Sequence, residues 1–290
     1  MSRAFDGIYR FIAAHALRPS RHPVRKMPAR LGLPFQSVSF PSRDGLLLRG
    51  WLIPHPEAEV NFILCHCYPS NRSEMLFWVG LLKNFPINYL VFDFRAMGES
   101  EGNLTSFGIN EMNDVLGAVD FLAADNGTSQ LPVGAIGISM GGAAALMAAA
   151  EDERIGAVVS HGAYATLQSA VEQRYRAVFG RFGPFFADQV AKAGQPWLNM
   201  DLSQVGPLLH IGRLAPRPTL LFHGKRDRIV SPQDAIQLLK AAGSAAHLEL
   251  LPRSGHVRVN RSDLPKYRSR LLEFCGRFIG GQSSSTAVAG

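Results

Sequence analysis

Six apolar, β-branched runs separated by helical patterns constrain this chain more than any other feature. They are VNFILCHC (60–67), INYLVFDF (87–94), VGAIGIS (133–139), IGAVVSHG (155–162), PTLLFHG (218–224) and HLELLPR (247–253). Most are continuous rather than alternating, as a parallel strand covered on both faces requires. Helical candidates fill the intervals at about 73–84, 109–124, 140–150, 232–242 and 263–279. This alternation predicts a doubly wound, mostly parallel α/β sheet. Upstream, QSVSFPS (36–42) and LLLRGWLI (46–53), joined by Arg43, Asp44 and Gly45, predict an antiparallel hairpin on the sheet edge.

One stretch breaks the alternation. Over about 163–215 the strand pattern vanishes, and Phe179, Phe182, Phe185, Phe186 and Trp197 cluster among Gly and Pro. It is too short for a core of its own, so it reads as a small helical cap over the functional edge of the sheet. On that reading Phe182, Phe185, Phe186 and Trp197 line a substrate site; the competing reading is a packing element with no substrate role. The chain then divides into a basic arm (1–35), an α/β domain (36–279) carrying the cap, and a Gly/Ser-rich flexible tail (280–290).

The 47% apolar content is ample for a large core, and the longest apolar runs fall short of the roughly 18 residues of a membrane span. A soluble protein is therefore expected. The formal charge of +7 is confined to one end. Residues 1–43 hold eight basic residues and one acid, whereas residues 44–290 hold 22 of each sign. The body carries no basic excess for nucleic acid, so no nucleic-acid partner is expected. Within the arm, Phe5, Ile8, Tyr9 and Ile12 recur at helical spacing. Three readings stand: a helix packed on the body, a peripheral membrane contact, or a cleaved targeting segment. Three cysteines, Cys65, Cys67 and Cys275, argue against a disulfide framework and for a reducing, cytoplasmic compartment.

The pattern G-x-S-x-G occurs twice, as GISMG (137–141) and GESEG (98–102), and about 0.2 chance matches are expected. Context separates them. Ser139 ends a strand pattern and begins a helix of small residues, with Gly137, Gly141 and Gly142 clearing space for a sharp turn. The helix N-terminus there favours a developing anion. Ser100 lies six residues past its strand, has no small-residue helix behind it, and is flanked by Glu99 and Glu101. Its loop reads as structural, tethered by Arg95.

A serine nucleophile needs a base, and the base needs an acid to orient it. Active-site residues gather at the carboxyl ends of parallel strands. Asp227 follows PTLLFHG and His256 follows HLELLPR, and of nine histidines none fits better. His161 and His223 read as loop buttresses. Oxyanion donors are expected at the backbone N–H of Met140 and, after the strand VNFILCHC, of Tyr68; Pro69 has no N–H.

Together these motifs resemble the α/β-hydrolase superfamily, over residues 36–279. HCYPSN is similar to its oxyanion loop, FDFRAMGESEG to its Asp-x-Arg-Gly-x-Gly-x-Ser loop, GISMGG to its nucleophile elbow, and HGKRDRIV and SGH to its acid and base loops. The stretch GPLLHIGRLAPRPTLLFHG is similar to the dienelactone-hydrolase-like and prolyl-oligopeptidase-like branches. Cys67 and Ala96 stand where glycine is usual. The resemblance implies an eight-stranded α/β-hydrolase fold and acyl transfer from a small-molecule ester or acyl substrate to water, with no metal or organic cofactor. The aromatic cap suggests an apolar acyl or aryl group. A peptidase uses the same triad, but only Glu172 and Asp188 offer acids in the cap for a peptide amino terminus. A non-catalytic binding protein of this fold would show a lost triad member, and none is lost.

Overall fold

The computed structural model describes residues 3–198 and 205–286. In chain order the regular elements are α1 (Arg3–Leu17), β1 (Gln36–Pro41), β2 (Leu47–Ile53), β3 (Val60–Cys65), α2 (Leu76–Leu82), β4 (Ile87–Phe92), α3 (Glu111–Ala124), β5 (Val133–Ile138), α4 (Met140–Glu151) and β6 (Ile155–His161). There follow α5 (Leu167–Phe179), α6 (Gly183–Leu198), β7 (Thr219–Gly224), α7 (Pro232–Ala242), β8 (Ala246–Leu251) and α8 (Leu264–Thr286). The eight strands form one sheet in the order β1-β2-β4-β3-β5-β6-β7-β8. β2 runs antiparallel to both β1 and β4, and the other pairs are parallel.

Alternate residues of the central strands enter two separate cores. On one face Ile63, Leu90, Val158 and Leu221 pack against α3, α4 and α7. On the other Phe62, Leu64, Val91, Val159 and Phe222 pack against α2 and α8. Both faces are covered, which is why β3, β4, β5 and β7 are buried along their whole length. Each fully buried Val, Leu, Ile or Phe side chain contributes about 1.5–3 kcal/mol.

Two sequence expectations change. The helix expected over 73–84 begins as a short 3-10 turn at Arg72–Met75, capped by the Asn71 side chain, before α2 continues it. The flexible tail expected from Gly280 is helical as far as Thr286, because α8 runs on from its packed apolar turns; residues 287–290 lie outside the described set. Among the described residues no helix is long and apolar enough to cross a membrane.

The insertion between β6 and β7 forms α5 and α6, and the arm helix α1 packs along α6. Tyr9 and Ala13 are buried with Val190, against Tyr175, Phe186 and Trp197. Beyond α1 the arm is strapped to the body by polar contacts. Thr105 N–H donates to Leu17 O (2.9 Å). Arg21 donates to the carbonyls of Gly98 (3.0 Å), Ser100 (2.6 Å) and Gly102 (2.8 Å). The Asn71 amide donates to His22 O (3.0 Å).

From β3 the chain first builds toward the β1 edge, then crosses back to β5 on the other flank of β3. Loops leaving β3 and β5 therefore diverge, and a crevice opens at the carboxyl ends of these strands. Helix α4 sits close against this crevice. A Cβ on Gly141 would lie 2.3 Å from Cys65 O and 2.4 Å from His66 O, both backbone atoms. Gly141→Ala is accordingly expected to cost roughly 3 kcal/mol, read as a lower urea midpoint; an unchanged midpoint would show that the contact has slack.

Candidate active site

Ser139 sits between the last residue of β5 and the first of α4, with φ 53° and ψ −118°. A non-glycine residue in that region is strained by about 1–3 kcal/mol and persists only where its surroundings enforce it. Its N–H donates to His161 O at the end of β6 (2.8 Å), and its carbonyl accepts from Ala143 N–H (3.0 Å). Neighbouring elements approach too closely for side chains. A Cβ on Gly137 would meet Gly141 O at 2.3 Å, and one on Gly142 would meet the Ser160 hydroxyl at 2.5 Å.

The loops after β7 and β8 converge on this serine. Ser139 Oγ lies 2.7 Å from His256 Nε2, and His256 Nδ1 lies 2.7 Å from Asp227 Oδ2. The three residues that the sequence singled out as nucleophile, base and acid are thus brought into one hydrogen-bonded line. The Asp227 side chain is fully buried, while that of His256 is 13% exposed and open to the crevice. Gly162, at φ 68°, leaves room beside the base: a Cβ there would stand 3.1 Å from His256 O.

The carboxylate is held by three donors and faces a fourth. Oδ1 accepts from the N–H groups of Ile229 (2.8 Å) and Val230 (2.9 Å), Oδ2 accepts from His256, and His223 Nε2 lies 3.2 Å from Oδ2 with its N–H shared with Val230 O (3.2 Å). Burial alone would raise the Asp227 pKa, but hydrogen bonds from His223, His256 and the backbone hold it well below the usual carboxylate range. Nearby, burial and the charges of His223 and His256 push His161 down to about 3, so its imidazole stays neutral. The base loop has its own brace, in which Asp263 accepts from Arg253 N–H (2.8 Å) and the Ser254 hydroxyl (2.7 Å).

Met140 is the first residue of α4, so its N–H has no partner within the helix. The segment carrying Tyr68 leaves β3 beside it and is braced by His66, which is fully buried. His66 Nδ1 donates to Cys67 O (2.8 Å), and Nε2 accepts from Phe94 N–H (3.0 Å). Burial lowers the His66 pKa, consistent with this neutral tautomer. The Tyr68 hydroxyl donates to Ala16 O (2.9 Å), and its ring packs on Phe107. Glu111, also buried, accepts from Thr105, Ser106 and Gly108 and so holds the Phe107 turn.

Ser100 is buried away from this line. Its hydroxyl donates to Asp93 O and accepts from Arg49 N–H (2.9 Å). Glu99 pairs with Arg72, and Glu101 accepts from Leu47 N–H. Arg95 is tied to Asp114 and Asp44, so the whole second match is a structural loop. Ala96 adopts φ 61°, the left-handed conformation that explains why glycine is usual there.

The cap aromatics are placed otherwise than expected. Phe186 and Trp197 are half-buried in the cluster that seats α1. Phe182 and Phe185 remain on the outer surface, so their placement does not give them the pocket-lining role anticipated from sequence. The arm helix takes the inner face of α6 instead. His66, His223, Glu111 and Asp263 are the site residues that sequence reasoning missed as hydrogen-bonding partners; only the position of His223, at the end of its strand four residues before the acid, hinted at its role. Cys65 and Cys275 are buried thiols, and burial pushes Cys275 up to about 12. Among the described residues no group of three or more His, Cys, Asp or Glu side chains is arranged to hold a metal ion.

Residues 101–282, more than half of the chain, match the model of the prolyl oligopeptidase family. The chain belongs to this family. That family, together with the sheet order, makes the chain a hydrolase of the α/β-hydrolase superfamily. The chain is 26% identical over 247 residues to the uncharacterized protein YfhR of Escherichia coli (strain K12), covering 82% of this chain and 80% of YfhR. It is 30% identical over 129 residues to the thiohydrolase aneE of Aspergillus aculeatus, covering 43% of this chain and 41% of that protein. The esterase Pf2001 of Pyrococcus furiosus superposes with a TM-score of 0.76 at 24% identity, covering 91% of this chain and all of that one, a likeness of fold.

A depressed carboxyl pKa stabilises the fold above the unfolded value near 3.9, and that stabilisation is lost as pH falls through the folded value. The stability lost on Asp227→Asn should therefore be largest at pH 6 and shrink toward pH 3, read from paired urea midpoints. A difference that grows on acidification would reverse the assignment.

Proposed function

We propose that the protein hydrolyses carboxylic esters or thioesters through an acyl-enzyme on Ser139. The observation that carries this reading is the pair of 2.7 Å contacts running from Ser139 Oγ through His256 to a buried, ionised Asp227. As Oγ attacks the acyl carbonyl, its proton passes to His256 Nε2, and Asp227 stabilises the imidazolium that forms. The carbonyl oxygen becomes an anion facing the N–H groups of Met140 and Tyr68 at the N-terminus of α4. Collapse expels the alcohol or thiol, which takes the proton from His256. Water then gives its proton to His256, attacks the acyl-enzyme, and frees the acid and Ser139.

Peptidase activity is the second reading, favoured by the family's name. Against it stand the two cap acids that a peptide amino terminus could use. Glu172 accepts from Gln168, and Asp188 pairs with Lys192, both on the exposed helix surface. The thiohydrolase likeness supports thioesters within the ester reading.

Ser139→Ala should lower turnover of p-nitrophenyl esters by about 10⁴-fold or more and abolish labelling by a fluorophosphonate probe. Labelling that persists in the variant would move the nucleophile elsewhere. In a panel pairing p-nitrophenyl esters of increasing acyl length and acyl thioesters with aminoacyl and peptidyl anilides, esters or thioesters should carry the highest kcat/KM. Faster anilide cleavage would establish the peptidase instead.

A further inference from the structure

The burial of α1 leaves a second side of that helix uncovered. Tyr9, Ala13 and Leu17 turn inward, whereas Ile8, Phe11 and Ile12 are exposed, Phe11 by 72%. The tip of the α5–α6 hairpin shows the same excess: Val178 is 71% exposed, Phe182 57%, and Phe179 and Phe185 are also exposed. The two stretches adjoin through Phe186, which packs beside Tyr9 of α1 and lies tilted against Phe179 (centroids 4.5 Å apart), with Phe185 edge-on to it. Seven of the eleven exposed large apolar side chains among the described residues thus stand on α1 and the adjoining hairpin, a concentration that marks an interaction surface.

The charges around them have one dominant sign. Arg10, Arg174, Arg176 and Arg181 are exposed among these residues, and the Arg181 guanidinium stands 4.8 Å from the Phe182 ring centroid. Of the acids on α1, α5 and α6, Asp188 is neutralised by Lys192, which leaves Asp6 and Glu172. Of the basic residues behind the excess of +7 in residues 1–43, Arg10 lies on α1 itself, whereas Arg21 binds the 98–102 loop and Arg43 pairs with Asp120 and Asp152. A second copy of the chain would bring the same sign against itself. An anionic lipid bilayer matches both features, taking the aromatic and aliphatic tips into the acyl boundary and the guanidinium groups among its headgroups.

We propose that α1 and the α5–α6 tip form a docking surface for anionic membranes. The docked element is joined to the loop of Tyr68 through the Tyr68 hydroxyl on Ala16 O, and to the neighbouring 105–108 turn through Thr105 N–H on Leu17 O. Docking does not depend on the hydrolase reading, and its test uses no turnover.

The full chain is sedimented with vesicles of phosphatidylcholine alone and of phosphatidylcholine with about one-third phosphatidylglycerol. Binding to the anionic vesicles is expected, at least about 10-fold weaker on the neutral ones and weakened by salt. The double variant Phe11→Ser/Val178→Ser should lose most of this binding while keeping its thermal transition. Should that variant fail to fold, Arg10→Glu/Arg181→Glu decides, with the same loss expected. Absence of anionic-vesicle binding overturns the proposal, as does equal binding to both vesicle types or by wild type and folded variants. A dimer in sedimentation velocity that Phe11→Ser abolishes, without vesicle binding, would assign the surface to self-association instead.

Discussion

The close seating of α4 against the end of β3 is the constraint on which the rest of the site depends. Gly141 touches the carbonyls of Cys65 and His66 at distances where no side chain fits, and this contact sets the elbow and the Tyr68 loop side by side. Ser139 accepts a strained backbone because β5, α4 and the His161 carbonyl leave it no other path. With the hydroxyl held at that point, the β7 and β8 loops need only bring an acid and a base to a fixed target. The sheet order supplies the opening, since the chain reverses direction about β3.

Electrostatics around this point are arranged so that almost every buried charge is answered locally. Asp227 has two imidazoles and two backbone N–H groups, Arg95 has Asp114 and Asp44, and Arg72 has Asp93 and Glu99. Removing one partner of a buried pair typically costs about 3–5 kcal/mol, so these loops are rigidly specified. The donors at the start of α4 are a different case. As the first N–H groups of a helix they have no partner within it, and in the proposed reaction they face the anion that forms.

The arm illustrates how far local pattern reaches. Helical spacing of Phe5, Ile8, Tyr9 and Ile12 announces α1, yet the side that turns inward is that of Tyr9, Ala13 and Leu17. That side packs on α6, where a Cβ on Gly194 would stand 3.7 Å from Ala13 Cβ, an ordinary van der Waals distance. A stripe of larger residues was equally available and remains outside. The cap behaves alike, since Phe186 and Trp197 seat the arm and Phe182 and Phe185 face solvent. Nothing in the order of residues distinguishes an aromatic that lines a pocket from one that seats a helix.

What the sequence by itself determined is the set of elements and the chemistry they carry. Strands covered on both faces must be continuously apolar, a sharp strand-to-helix turn must have glycine about it, and both signals are written in neighbouring residues. The serine in GISMG could be preferred to that in GESEG for this reason, and Asp227 and His256 could be named from their positions after strands. Only the tertiary structure decided which distant atoms meet: Ser139 and His256, 117 positions apart, close to 2.7 Å, His223 turns onto Asp227, and Arg21 crosses to the 98–102 loop. Those contacts follow from strand order and helix packing, which depend on the whole core at once and leave no mark at any single position.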